Sequence, residues 1–127
     1  MVTISARRLT IFERAAMNID REAVEATRRS EAKRRTAERV AQLRHIVMRN
    51  AGHNRDIEDL KNEADAARLL ICASNNADGF AVLGILRVAI DERWRDVVQA
   101  GIRHFDEHPV AAHIQELWNL TADRPAV

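Results

Sequence analysis

The chain has 127 residues, enough for one domain with a core of its own and too few for a second of full size. A formal net charge of +1 excludes a general electrostatic attraction to nucleic acid. Aromatics at 4% with no tyrosine leave the 46% apolar content mostly aliphatic, which is helix-forming rather than sheet-forming material.

The fold class these numbers imply is all-α: a bundle of about four helices with an extended, coiled-coil-like N-terminal helix. The first helix spans Ser5 to Asn50, a run without glycine or proline, with Ser5 as its N-cap. Leu9, Phe12, Ala16, Ile19, Ala23 and Ala26 recur at alternating spacings of three and four and draw one apolar stripe along it. At ~1.5 Å per residue such a rod reaches roughly 68 Å, about twice the width of a compact domain of this size. Continuing that register gives Ser30, Lys33, Ala37, Val40, Arg44 and Val47. A rival register through Ala32, Thr36, Val40, Leu43 and Val47 is more apolar. The change between them marks a stutter, or a bend near residues 26–36. Between Glu25 and Glu38 the helix is polar on nearly every side, and pairs four apart such as Glu31/Arg35 and Arg34/Glu38 support it.

Ala51 to Asn54 form the first stop, with Gly52 placed for a left-handed C-terminal conformation. Asn54 or Asp56 caps a second helix with the stripe Ile57, Leu60, Ala64, Ala67 and Leu70 or Ile71, which ends near Ser74 to Asn76 and should return against the second half of the first helix. Charge favours that pairing. Ala26 to Asn50 holds eight basic and two acidic residues, a balance of +6, against −4 from Asp56 to Asp78. Asp78 caps a third helix over Gly79 to Glu107, apolar nearly all round from Phe80 to Ile90 and thus central, where Gly84 permits close approach of a neighbour. Pro109 opens the last helix, with Val110, Ile114, Leu117 and Trp118 inward. The expected organisation is a single domain over 1–127: the long helix 5–50, a bundle over 54–121 and a flexible tail over 122–127.

Three constellations could carry chemistry. Arg28, Arg29, Lys33, Arg34, Arg35 and Arg39 could each neutralise a phosphate, although projection at ~100° per residue spreads them round the helix instead of along one face. His104 and His108, four apart, could share a helix face as metal ligands with Glu107 beside them. The segment Arg103-His104-Phe105-Asp106-Glu107-His108 is also similar to the Arg-polar-x-x-x-His signature of HEPN ribonucleases, which are all-α. That resemblance covers six residues and implies RNA cleavage by Arg103 and His108, with His104 at the polar position; Asp106 and Glu107 inside it would repel a phosphate. Cys72, the only cysteine, excludes an intrachain disulfide and is expected to pack as a small hydrophobe.

No glycine-rich phosphate loop, secretory signal or membrane span is evident, since Leu69 to Ile90 is interrupted by Ser74, Asn75, Asn76 and Asp78. Eighteen arginines against two lysines suggest a GC-rich, bacterial genome. The expected protein is cytoplasmic, without a cofactor, and acts as a non-catalytic interaction module: a small adaptor, regulatory or scaffolding protein. Its partner is a second copy or another helical protein, met through Leu9, Phe12, Ala16, Ile19 and Ala23. The alternatives are a nucleic-acid-binding regulator using the basic helix and a HEPN-like ribonuclease using Arg103 and His108.

Overall fold

The computed structural model describes residues 10–122. Among these, regular structure is helical throughout: α1 (Ile11–Met48), α2 (Arg55–Glu58), α3 (Glu63–Asn75), α4 (Gly79–Glu92), α5 (Arg95–His104) and α6 (Pro109–Ala122). The chain is all-α. It divides into two units, Met1–Ala37 and Glu38–Val127, and α1 contributes to both.

In the first unit the described residues are those of α1 and its cap. The Thr10 hydroxyl accepts from the Glu13 N–H at 3.1 Å, and the Glu13 carboxylate accepts from the Thr10 N–H at 3.4 Å. This reciprocal capping box starts the helix at Ile11. Ser5, the expected cap, lies outside the described residues. Thr27 and Thr36 turn their hydroxyls back onto the carbonyls of Ala23 and Ala32, four residues earlier in the helix, so each shares an acceptor of the backbone ladder. Glu31 and Arg35 form the expected pair at 3.6 Å, worth only ~0.2–0.5 kcal/mol on an exposed face. The helix is unbroken through residues 26–36, so the register change there does not separate two helices.

The second unit is built round α4. Val82, Leu83, Gly84, Ile85 and Leu86 are consecutive and all buried, because α2, α3 and α5 pack against this helix from several sides. Ile114, Leu117 and Trp118 of α6 and Val97 and Val98 of α5 complete the core, and no polar or charged side chain among the described residues is buried. From α1 the buried residues are Val40, Leu43 and Val47, the more apolar of the two registers. Arg44, from the other register, pairs with Asp91 of α4 at 2.7 Å.

Several local expectations are corrected. The second helix is two: α2 ends after one turn, and Asn62 restarts the chain by accepting from the Asp65 N–H at 2.9 Å. The break shifts the phase of the stripe, so α3 buries Ala66, Leu70 and Ala73 while Ala64 and Ile71 stay exposed. α3 packs on α4 and α5, not antiparallel on α1, and the α1 ion pairs in this unit go to α4 and α6. The third helix is also two. Arg93 takes a left-handed conformation (φ 62°), and the Trp94 N–H closes the end of α4 on the Ala89 carbonyl at 2.8 Å. Gly52 has no positive φ. It is needed for close approach instead: its N–H reaches the Phe80 carbonyl at 2.6 Å, and a Cβ on Gly84 would overlap the Gly52 carbonyl oxygen. The neighbour that Gly84 admits is thus the loop after α1. Asp78 caps α4 as expected, through the Ala81 N–H at 3.1 Å. Thr121 and Ala122 belong to α6, and the rest of the expected tail lies outside the described residues.

Candidate functional site

The stripe on α1 is the first candidate surface. Phe12, Ala16, Ile19 and Ala23 are all exposed, Phe12 at 85% and Ile19 at 65%; Leu9 lies outside the described residues. Among the described residues of its unit, this helix segment has no second element to cover such groups. Three further large apolar side chains are exposed beside them: Ile11, Met17 and Val24. Met17 and Val24 are seven apart, lie about 140° round the helix from Phe12 and Ile19, and border an open depression of about 450 Å³ with Asp20, Arg21, Glu25 and Arg28. Their heptad spacing was legible in the sequence.

The basic residues divide. Arg28, Arg29, Lys33, Arg34 and Arg35 belong to the first unit and are exposed, with Arg35 on Glu31. Arg39 belongs to the second unit and is engaged by α6. Its Nε lies 3.1 Å from both Glu116 carboxylate oxygens, its Nη2 lies 2.6 Å from Oε2, and its Nη1 donates to Gln42 at 2.8 Å. Hydrogen bonding from Arg39, and then its charge together with that of His113, holds the Glu116 carboxyl below its ordinary value, and the same bond raises the Arg39 guanidinium. Arg39 therefore clamps the end of α1 to α6.

The histidine corner differs from the helical face that the sequence suggests. α5 ends at His104, Phe105 follows as its C-cap, and Glu107 is left-handed with φ 64°. His104 and His108 consequently do not share a helix face. The His104 Nδ1 meets the Ser74 hydroxyl at 2.8 Å, and its ring stands edge-on to Phe105 with centroids 4.8 Å apart. The His108 Nδ1 accepts from the Val110 N–H at 3.1 Å, holding the first turn of α6. Arg103 is exposed. No group of three His, Cys, Asp or Glu able to hold a metal ion occurs among the described residues.

His108 instead joins His113, Arg49 and Asp78 round a cavity of about 470 Å³, with Ile46, Leu83, Phe105 and Val110 among its apolar lining. These residues come from the end of α1, the α3–α4 turn with the start of α4, and the α5–α6 corner with the start of α6, so no sequence spacing links them. Asp78 is already committed to capping α4. Cys72 is exposed, contrary to expectation, because it sits on the outer side of α3 once the phase has shifted; Asp56, Asp59 and Asp65 lie round the same surface hollow.

Comparison with protein-family models, with curated proteins and with solved structures finds no match to this chain. Among the described residues no helix is long and apolar enough to cross a membrane.

Proposed function

We propose that this chain is a non-catalytic protein–protein interaction module, a small adaptor, regulatory or scaffolding protein that works as a helical homodimer. The interface is the α1 stripe of Phe12, Ala16, Ile19 and Ala23, with Leu9 preceding it. The observation that carries this reading is the exposure of Phe12 and Ile19, two large apolar side chains one heptad apart on a helix that is otherwise richly charged. Aligned apolar groups of this size favour contact with a partner over contact with water. Three residues of the sequence-predicted chemical constellations have structural partners: His104 is bonded to Ser74, His108 to the α6 backbone, and Arg39 to Glu116. The single thiol and the arginine-rich composition accord with the cytoplasm of a bacterium.

Sedimentation equilibrium tests the reading. The expected mass at micromolar concentration is twice the 14.4 kDa of one chain, returning to the single-chain value in Phe12→Asp with the second unit still folded. A wild-type chain that sediments as a monomer at ~100 μM, where association of ~5 kcal/mol would already show, overturns it.

A further inference from the structure

We infer that the two copies pair antiparallel, with the two-fold axis passing between Ala23 and Ala26. This rests on the homodimer reading and adds to it the orientation and register of the partner. The first reason is charge. Residues 10–25 hold four acidic and two basic residues, whereas residues 26–37 hold five basic and one acidic. Along the described helix of the first unit, residues 10–25 are therefore net negative and residues 26–37 net positive. Paired helices run ~8–10 Å apart, close to the ~8 Å screening length at physiological salt, so charges across the seam still act on one another. A parallel pair sets the basic half on the basic half. Reversal sets it on the acidic half, and brings Glu22 beside Arg29 of the second copy.

The second reason is the size of the seam residues. In a parallel, in-register pair each residue meets itself, so the layers alternate between crowded ones, Phe12 on Phe12 and Ile19 on Ile19, and empty ones, Ala16 on Ala16 and Ala23 on Ala23. Lys33 would also face Lys33. Reversal about the stated axis sets Phe12 on Ala37, Ile19 on Ser30 and Ala23 on Ala26 of the second copy, so that large meets small and the helices approach most closely at the two alanines. Ala16 then faces Lys33, whose methylene stem can lie over the alanine while the ammonium reaches water. The second copy complements this face in charge and in shape only when it is turned round.

Disulfide trapping tests the orientation separately from the dimer. Single cysteines replace Ala16 in one full-length variant and Lys33 in another, both carrying Cys72→Ser because the native thiol is exposed. The two are mixed in equal amounts and mildly oxidised, and the linked species are weighed. Reversal puts the two Ala16 positions about 25 Å apart along the seam and brings each to the Lys33 position of the other chain. The expected product is the mixed Ala16→Cys/Lys33→Cys species, at least tenfold over either self-linked one. Self-linked Ala16→Cys as the main product, or equal yields of all three, overturns the antiparallel register while leaving the dimer standing. A dimeric mass with no linkage also overturns the register. A monomeric mass for the unoxidised variants and for wild type removes the homodimer and the orientation with it.

Discussion

α1 carries the same apolar spacing into two different fates. In the second unit Val40, Leu43 and Val47, three and four apart, are buried against the helices of the bundle. In the first unit Phe12, Ala16, Ile19 and Ala23 repeat that spacing and are exposed. Periodicity therefore says which face of a helix is apolar, while what covers the face depends on elements elsewhere. In the second unit the cover is the shared core, to which every one of its helices contributes buried side chains. The comparison separates two kinds of apolar residue: those that hold the fold, and those available to hold a partner.

Substitution in the core should break the second unit and leave the first unchanged. Leu86 is fully buried in α4, and its side chain fills the space that a Cβ on Gly101 of α5 would need. Leu86→Ala is expected to lower the unfolding free energy by ~2–5 kcal/mol, through lost burial and the cavity left behind. Chemical denaturation followed by helical signal checks it. A cost under ~1 kcal/mol would mean that α5 collapses onto α4 and that the contact at Gly101 does not space the two helices.

The caps sharpen the contrast at smaller scale. Asn62 and Thr10 each accept a backbone N–H at a helix start, so each alanine replacement removes a capping bond of the same kind, and Asn62→Ala also removes the exposed bond from its amide to the Asp65 carboxylate. Asn62→Ala is expected to cost the bundle ~0.5–2 kcal/mol, because α3 buries Ala66, Leu70 and Ala73 and cannot fray without exposing them. Thr10→Ala should leave the denaturation midpoint of the bundle in place and, at dilutions where the chain is single, speed amide exchange over residues 11–14, where no side chain is buried by the same chain. Equal shifts in the midpoint for both would erase the distinction between the units.

What was legible in the sequence follows the same division between local and distant causes. Fold class, the Asp78 cap, Pro109 at the start of α6 and the apolar run of α4 depend on residues close together in the chain, and the structure has them. The breaks after α2 and α4 were missed because apolar residues recur on both sides and mask the interruption. Asn62 followed by Asp65 was the visible sign of the first; the second rests on an arginine in a left-handed conformation that most residues avoid. The histidine corner was misread for the same reason, since a helix continued past His104 would have aligned His108 with it. The stripe residues were readable one by one, but the cavity joining Arg49, His108 and His113 was not, because three separate segments meet there.

The ion pair between Arg39 and Glu116, 77 positions apart, is the furthest from anything a local pattern could show, and its expected effect is the smallest. Both side chains remain about 40% exposed, so water and salt weaken the pair. Its signature is the pH dependence. The Glu116 carboxyl is held below its ordinary 4.5, first by the hydrogen bond from Arg39, so the unfolded chain takes up the proton more readily than the folded one. The stabilisation is then fully present above that ordinary value and is lost as pH falls through the lower, folded value. Denaturation midpoints of wild type and Glu116→Gln should differ most near neutrality and converge as the solution is acidified, with 1 M salt shrinking the gap at pH 7. A gap that stays constant from pH 7 to pH 3 would show that glutamine disturbs packing at α6, and that the carboxylate charge contributes nothing to holding the end of α1 in the second unit.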